Sequence, residues 1–360
     1  MKFIRILASL SALSMGVAGA TAAQADSSDR AADATPSATA QRAYKAVAGA
    51  DRKWTDAAAD VPANASGKDA IRTTQQGISI SVPNDPSSKM TIAGRNGKVS
   101  MGLPFSGSAS KAASSHAGTV AFANKNGSST TPIVRKDGST QVNTVINNAN
   151  APKRYAYKMQ VPEGAKIQRA GSAVLVTKGK KMVAGIAPAW AKDAKGKSVP
   201  THYEVKGSTV TQVVDHGSQY AYPIVADPWM GVDLFSTLEK DRPGTDRSHG
   251  TVYSGMLSDF GWALYLGTGV QAPLFPLNPV GPGQAATGNL IIRYAGWEEW
   301  KDRFFNSREP SSPSLYQQYS CHVAYGYIVP KAGWHWDIES NRPSNPDWWK
   351  QDVREHKCNW

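Results

Sequence analysis

The stretch "TPIVRKDGSTQVNTVI", residues 131–146, decides the fold class of the first half of the chain. β-Branched residues are frequent in both of its arms, and Asp137-Gly138 lies between them. An Asp-Gly pair between two such arms is a strong hairpin signal, because glycine adopts positive φ without a steric penalty. The stretch therefore predicts an antiparallel β-hairpin.

The same pattern of short β-like segments and turn residues continues on both sides of this hairpin. Short alternating segments such as "GISISVP" and "KMTIAG" are separated by Gly, Asn and Pro, and "THYEVKGSTVTQVVDH" predicts a second hairpin that turns at Lys206-Gly207. Many short strands with regularly spaced turns are typical of a sandwich or another multi-sheet β domain. We therefore predict a β-rich, sandwich-like domain of short antiparallel strands over residues 71–228.

Charge and tryptophan content divide the chain after Pro228. Residues 26–228 carry 26 Lys and Arg against 14 Asp and Glu, whereas residues 229–360 carry 12 against 14 and hold nine of the eleven tryptophans. About 335 residues after a leader also suggest two domains rather than one. The sequence thus predicts a basic β-rich module followed by a small α+β domain over residues 229–360.

The N-terminus has the pattern of a secretory signal peptide over residues 1–25. Lys2 and Arg5 precede an apolar stretch, and an A-x-A cleavage site ends at Ala25. No later apolar run approaches the ~18 residues that a membrane-spanning helix needs. We expect a secreted, extracellular protein with no membrane span, which we take to be a monomer.

Residues 26–70 read as an Ala-rich leader or linker that contains one possible helix. Within "QRAYKAVAGADRKWTDAAAD" the side chains of Tyr44, Val47 and Trp54 would lie on roughly one side. Two alternatives stay open here, a helix that docks on the protein and a disordered pro-segment.

The sequence pI of about 9.5 and the net charge of +12 favour anionic surfaces as partners. The lysines are scattered through turns such as "KGKK" and "KDAKGKS", and no base-stacking module is visible. We therefore expect no specific nucleic-acid partner. The expected target is an unknown extracellular wall polymer, glycan or protein.

An aromatic stripe marks one helix of the C-terminal domain. Trp297, Trp300, Phe304 and Phe305 recur at helical spacing with charged residues between them. Such a pattern predicts an amphipathic helix whose aromatic face packs in the core.

The stretch "QYSCHVAYGYIVPKAGWHWDIESNRP", residues 318–343, alternates in polarity and predicts a β-hairpin that turns at residues 330–333. In that register one face is aromatic and packs on the Trp-containing helix. The other face would form a shallow groove, lined by His322, His335, Asp337 and Glu339.

Cys321 and Cys358 are the chain's two cysteines. An even count in a secreted chain predicts a disulfide. Its formation would leave neither a thiolate nucleophile nor a set of ligands with metal-site spacing, so we expect no metal site and no cofactor. His249 and His356 have no visible partner and are interpreted as surface residues.

Two carboxylates at i and i+2, Asp337 and Glu339, could share general acid–base work with His322. The competing interpretation is structural, since solvated acids on a strand are common and Glu339 could simply pair with Arg342. The residue types in the groove therefore leave catalysis open, with Glu339, Asp337 and His322 as the candidate catalytic residues.

The combination of Gln318, Cys321-His322, the segment Trp336-Asp337-Ile338-Glu339, Arg342-Pro343 and Cys358-Asn359 resembles the secreted family DUF2599. The resemblance spans about residues 250–360 and includes "GWALYLGTGVQAP" and "AGWEEW". It implies no known activity. It marks recurring positions, which are Gln318, His322, Trp336, Glu339, Arg342 and the two cysteines.

This sequence departs from the family pattern at its end, where Trp360 stands in place of the usual Pro. His335 lies outside the pattern. A second resemblance covers about residues 155–228, which look like a module found before different C-terminal domains in secreted proteins of high-GC Gram-positive bacteria. It implies a shared delivery or presentation module.

These observations favour an extracellular binding protein over an enzyme, because the motif carries no obvious nucleophile or metal set. The binding face would contain Gln318, His322, His335, Glu339 and Arg342. The alternatives are a hydrolase of glycans or cell-wall polymers that uses Glu339, and an antibacterial effector whose C-terminal domain is the active part.

Overall fold

The first half of the chain forms two antiparallel sheets, in the computed structural model that describes residues 35–64, 66–267, 287–306, 308–326 and 335–360. The predicted signal peptide and the first part of the leader lie outside the described residues. Strands are numbered along the chain. The first sheet has the order β1-β2-β3-β4-β9-β15-β14. Its strands are β1 (Asp69–Gln75), β2 (Ile78–Pro83), β3 (Met90–Gly94), β4 (Gly97–Met101), β9 (Arg154–Gln160), β14 (Thr201–Lys206) and β15 (Thr209–Val214).

The second sheet has the order β10-β11-β12-β17-β8-β7-β6-β5, with β16 also paired to β8 and β13 paired to β16. Its strands are β5 (Ala113–His116), β6 (Thr119–Ala123), β7 (Ser128–Val134), β8 (Thr140–Ile146), β10 (Lys166–Ala170), β11 (Ala173–Lys178), β12 (Lys181–Ile186), β13 (Ala191–Lys192), β16 (Ile224–Ala226) and β17 (Trp229–Gly231). Both predicted hairpins are confirmed, as β7–β8 and as β14–β15.

Burial along the strands follows from the layers above and below them. Strand β9, with the sequence RYAYKMQ, alternates between buried and exposed residues because only one of its faces meets the core. Strands β7 and β8 are buried at every residue. One face of this hairpin contacts the first sheet, and its other face lies under a helix.

That helix comes from the Ala-rich segment. Helix α1 (Pro36–Ala50) packs against β5 and β6 with Val47 buried, and helix α2 (Arg52–Asp56) buries Trp54 beside Trp229. Asp51 ends α1 and caps α2, since its side chain accepts a hydrogen bond from the Lys53 N–H at 3.1 Å. The docking alternative therefore holds for residues 36–56, with a break at Asp51 in place of one continuous helix.

The C-terminal residues form an α+β arrangement on a small sheet, as predicted. The sheet has the order β18-β19-β20 and consists of β18 (Phe235–Lys240), β19 (Val252–Leu257) and β20 (Trp336–Glu339). The helices are α3 (Asp259–Gly267), α4 (Thr287–Ile291), α5 (Trp297–Phe304), α6 (Pro313–Tyr325) and α7 (Val353–His356), with a π-helical segment at Ile292–Gly296 and a 3-10 turn at Trp348–Lys350. Among the described residues, no helix is both long enough and apolar enough to cross a bilayer.

The aromatic stripe of α5 is confirmed as core. Trp297, Trp300 and Phe304 are buried, and Trp300 packs edge-on against Phe235 with ring centroids 5.7 Å apart. Phe305 follows the helix and lies over Tyr253 at 4.9 Å. The predicted disulfide between Cys321 and Cys358 is also confirmed, with Cα atoms 5.4 Å apart.

The predicted hairpin at residues 318–343 is wrong in its first arm. Residues of that arm belong to helix α6, which starts at Pro313 after the N-cap Ser312. Leu315, Tyr319 and Val323 are buried at a spacing of four, so the helical period competes with the period-2 pattern and tertiary packing selects it. The predicted turn at residues 330–333 lies outside the described residues.

Only the second arm is a strand, and it has a different partner. Strand β20 pairs with β19, with Ile338 opposite Tyr253. The chain leaves β19 at Leu257 and enters helix α3. Ser258 then caps α3 through a 2.9 Å hydrogen bond from the Gly261 N–H to its hydroxyl.

Strand β17 joins the two halves. It begins at Trp229, directly after the predicted boundary at Pro228, and lies between β12 and β8 inside the second sheet. Phe260 of α3 packs on its Gly231 and on Gly185 of β12. The described residues between 35 and 360 form one compact unit, and the division into two domains remains a prediction.

Replacement of Gly231 by Ala tests this close approach. A Cβ there would lie 2.5 Å from the Phe260 ring, so the variant should lose about 1–3 kcal/mol of unfolding free energy in a urea titration. Gly49→Ala in α1 is the matched control, because nothing lies within 4 Å of its added Cβ. We expect that control to be neutral or more stable by up to about 1 kcal/mol. Equal losses of stability in both variants would contradict the close packing of Phe260 on Gly231.

Candidate functional site

Gln318 is an internal clamp between helix α6 and strand β20. Its side chain is fully buried. The amide accepts a hydrogen bond from the Glu339 N–H at 2.8 Å and donates to the Glu339 carbonyl at 3.0 Å. It also donates to the Ser314 hydroxyl at 3.1 Å. A primary amide is suited to this task because it carries both a donor and an acceptor in one plane.

The Glu339 carboxylate is held from three sides. Arg342 forms an ion pair with it through Nε, and Asn359 donates to Oε1 at 3.2 Å. His249 Nδ1 lies 3.7 Å from Oε2. His249 is exposed, as predicted, but it lies beside this carboxylate and accordingly has a partner that the sequence did not show.

The C-terminal end of the chain closes on the same cluster. Arg342 donates from Nη1 to the Trp360 carbonyl at 3.2 Å, and the Trp360 indole donates to the Pro343 carbonyl at 2.8 Å. The Glu339 side chain retains 10% of its accessible surface and the Arg342 side chain 18%. Together with the disulfide, this cluster ties the last residues to α6 and β20.

The Asp337 carboxylate pairs with Arg242, whereas the Glu339 carboxylate pairs with Arg342. Asp337 accepts from the Ser254 hydroxyl at 2.6 Å and from Arg242 Nη2 at 3.3 Å. His335 is half-buried and directly precedes β20. The structure thus brings Gln318, Glu339 and Arg342 together, whereas the groove predicted on the face of a hairpin is not formed, because one arm is a helix.

His322 is half-buried on α6 and stacks parallel to Trp336, with ring centroids 6.1 Å apart. Its Nε2 lies 3.0 Å from the carbonyl oxygen of Asp337 and can donate to it. Burial lowers the pKa of His322, and the hydrogen bond to the Asp337 carbonyl partly opposes this shift. The neutral imidazole is therefore favoured in the folded protein.

His356 lies next to the disulfide. Its Nδ1 accepts a hydrogen bond from the Cys358 N–H at 3.0 Å, and burial lowers its pKa. Its ring nitrogen and the two sulfur atoms lie within 4.8 Å of one another. The sulfurs are bonded to each other, so this group offers no thiolate to a metal ion. The surface position predicted for His356 is only half right, since the residue is partly buried.

A large cleft that sequence reasoning missed lies between the second sheet and the C-terminal elements β18, β19 and α3. It encloses about 1240 Å³ and its wall is predominantly apolar. Both halves of the chain contribute to it, through α2, the β7–β8 turn, β17 and α3. Four tryptophans line it, which are Trp54, Trp190, Trp229 and Trp262.

The tryptophans on the sheet side of the cleft form an ordered group. Trp54 and Trp190 are stacked with centroids 5.5 Å apart and planes within 7°. Trp229 meets Trp54 edge-on at 5.2 Å. Trp190 and Trp262 are only half-buried, so their rings are the ones that a bound molecule could reach.

A smaller cavity of about 300 Å³ adjoins the cleft, and the two share the lining residues Gln76, Asp137, Ser236 and Ser258. Four carboxyl groups line the smaller cavity, those of Asp137, Asp233, Glu299 and Asp302, and two of them have raised pKa values. Burial raises the pKa of Asp233 and raises that of Glu299 well above its usual value. Glu299 accepts hydrogen bonds from the Leu234 and Phe235 N–H groups at 2.8 and 3.2 Å, and so it also anchors the start of β18.

One sequence signal could have pointed to the cleft. Trp54 and Trp190 are the two tryptophans that lie before residue 229, against the general distribution. Their separation of more than one hundred residues hides the fact that they stack, and only the folded chain brings them together.

Gln318→Leu should lower the free energy of unfolding by about 2–4 kcal/mol, because two buried backbone groups of Glu339 each lose a partner at a cost of about 1–3 kcal/mol. Gln351→Leu is the control, since the Gln351 amide is exposed and, among the described residues, bonds to Asn345 alone. We expect the control to change stability by less than about 0.5 kcal/mol in the same urea titration. A Gln318 variant as stable as the control would refute the clamp.

His322 should make stability depend on pH. Its pKa is 6.5 unfolded and lower when folded, so the folded state binds fewer protons and stability falls as the pH drops below 6.5. His322→Gln should flatten the wild-type profile between pH 7.5 and 5, by at most about 1.4 kcal/mol per pH unit. His202→Gln, at an exposed position of β14, is the surface control. Superimposable profiles for wild type and His322→Gln would show that His322 does not contribute.

Comparison with known proteins finds one family model that matches the C-terminal region. The model of DUF2599, described as a protein of unknown function, matches residues 284–360. This range contains α4 to α7, β20, the disulfide and the Gln318–Glu339 clamp, and it begins later than the resemblance from about residue 250. No curated protein and no solved structure matches the chain. The C-terminal region of this chain is thus similar to DUF2599.

Proposed function

We propose that the chain is an extracellular binding protein that takes its ligand into the tryptophan-lined cleft. One observation carries the proposal, a cleft of about 1240 Å³ with four tryptophans that both halves of the chain build. Large, mostly apolar clefts with a few polar groups are the usual ligand sites of proteins. Secretion is part of the proposal and rests on the signal-peptide pattern of residues 1–25.

The burial of the family-pattern residues supports a structural role for them. Gln318 is fully buried, and Glu339 and Arg342 use their polar atoms on each other, on Asn359 and on the chain end. Residues with these contacts position β20 and the C-terminal tail. Their part in binding would then be to hold the domain that forms one wall of the cleft.

A hydrolase is the second candidate, and the adjoining cavity favours it with different residues from those predicted. Glu339 is held by Arg342 and Asn359, whereas Glu299 and Asp233 have raised pKa values beside the cleft. Carboxyl groups with raised pKa values near a ligand site are candidates for general acids. Breakdown of a bound ligand that stops in Asp233→Asn would favour this candidate.

Retention of wall material by the full chain tests the binding function. Immobilised protein would be incubated with fractionated cell-wall polysaccharide, lipid vesicles and extracellular protein. We expect a polysaccharide fraction to be retained by the wild type, and to be lost in the double variant Trp190→Ala/Trp262→Ala, because these half-buried rings form the accessible wall of the cleft.

Tyr294→Ala is the matched control for this experiment. Tyr294 is 58% exposed and does not line the cleft, so its removal should leave retention unchanged. Retention that survives in the double tryptophan variant, or no retention of any fraction by the wild type, would refute a binding function of the cleft.

A further inference from the structure

Arg135 is a buried cation whose hydrogen-bonding capacity is only partly used. It directly follows β7, in the β7–β8 turn, and is 3% exposed. Its Nη2 donates to Asp259 at 2.9 Å. Its Nε and Nη1 have no hydrogen-bond partner among the described residues, and Nε is 3.8 Å from Asp137. Leaving two nitrogen atoms of a buried guanidinium without an acceptor is costly, so an anionic ligand that improves the pairing of Arg135 would be favoured.

The cleft holds this guanidinium between aromatic rings. Its central carbon lies 4.7 Å from the ring centroid of Trp229 and 5.5 Å from that of Trp54. Both rings line the cleft, as Arg135 does. Cation–π contacts keep the charge in place without using its N–H donors, and a planar acceptor such as a carboxylate or a phosphate that displaces Asp259 would meet the guanidinium at Nη2.

The ion pair that Arg135 does make can be exchanged. The Asp259 side chain is 65% exposed, so its carboxylate can return to water when another anion takes its place. An exposed carboxylate contributes little to a salt bridge, whereas a bound anion in the cleft would contact a desolvated guanidinium. Asp259 therefore acts as a replaceable occupant of the anion position.

Other charges around the cleft also favour an anion. Its lining includes Lys53, Lys136 and Lys192, and Lys192 has no ion pair among the described residues. Asp227 lines the cleft too, but burial raises its pKa well above the usual value, and the neutral acid is favoured. With Asp227 neutral, the lining holds four cations, Lys53, Arg135, Lys136 and Lys192, against three carboxylates, Asp51, Asp137 and Asp259, and Asp51 is paired with Lys53.

We propose that the cleft binds an oligosaccharide that carries an anionic group, with the sugar rings against Trp190 and Trp262 and the carboxylate or phosphate on Arg135. This inference rests on the proposed binding function. The apolar C–H face of a pyranose stacks on an indole ring, whose face is electron-rich. A peptide of acidic residues alone could satisfy Arg135 but offers no flat apolar ring for the two half-buried tryptophans.

Isothermal titration calorimetry with the full chain tests this assignment. The probes are hexagalacturonate for the carboxylate, a phosphorylated oligomannose for the phosphate, neutral cellohexaose, and hexaglutamate as an acidic peptide. We expect at least one acidic oligosaccharide to bind about tenfold or more tightly than cellohexaose, with hexaglutamate no better than cellohexaose. The affinity of the acidic sugar should fall as salt rises from 0.05 to 0.5 M, because the screening length shortens.

Three variants assign the binding to the cleft. Arg135→Lys keeps the charge but removes the planar fork, and should weaken the acidic sugar by about tenfold or more. Lys192→Gln should weaken it by a few-fold, whereas Lys180→Gln, the same charge change at an exposed turn outside the cleft, should not. Trp262→Ala should weaken all sugars. Lys192 and Trp262 keep the test valid if Arg135→Lys does not fold.

The outcomes separate this inference from the proposed function. Cellohexaose that binds as tightly as the acidic sugars, with loss in Trp262→Ala, would overturn the anionic assignment and keep the binding function. Hexaglutamate that binds more tightly than every sugar, with dependence on Lys192, would replace the sugar by an acidic peptide. Equal effects of Lys192→Gln and Lys180→Gln would also overturn the inference. Absence of any binding that depends on Trp262 would remove the proposed site as well.

Discussion

The three-residue strand β17 is the constraint on which the rest of the structure depends. It carries the chain from the β-rich half into the C-terminal half while hydrogen-bonded between β12 and β8. Trp229 on this strand donates to the Ser139 hydroxyl at 2.8 Å and stands in the cleft. Gly231, two residues on, has no side chain and so admits the Phe260 ring. The two halves are thus joined by sheet hydrogen bonds and close packing as well as by the chain.

The position of the cleft follows from this junction. Helix α3 is held against the second sheet by Phe260, and its next residues, Trp262 and Leu266, form part of the cleft wall. The opposite wall includes Trp54 of α2, which is present only because the Ala-rich segment docks on the sheet. A site assembled from such distant parts of the chain should be sensitive to changes in any one of them.

The C-terminal cluster and the cleft differ in how completely their buried polar groups are hydrogen-bonded. In the cluster, charges and amides are matched to one another: Gln318 to the backbone of Glu339, and Glu339 to Arg342 and Asn359. In the cleft, Arg135 keeps donors without a partner although it is buried. Matched buried groups stabilise a fold, whereas an unmatched one is a cost that a ligand can relieve.

Local signals in the sequence predicted those parts of the fold that depend on neighbouring residues. Asp137-Gly138 specified a hairpin, the spacing of Trp297, Trp300 and Phe304 specified a helix, and an even cysteine count specified the disulfide. The local signal failed at residues 318–325. Small and aromatic residues there satisfy both periods, and burial of Leu315, Tyr319 and Val323 together selects the helix.

The candidate site was predictable only in its C-terminal part. Gln318, Glu339 and Arg342 were expected to lie together, and they do, although as an internal network. The sequence by itself determined the β-rich and α+β classes, the cysteine bond and the composition of each half. Tertiary structure alone decided the partner of β20, the placement of β17 and the cleft, because stacking of Trp54 on Trp190 and the burial of Arg135 between Trp54 and Trp229 depend on contacts across more than seventy residues of chain.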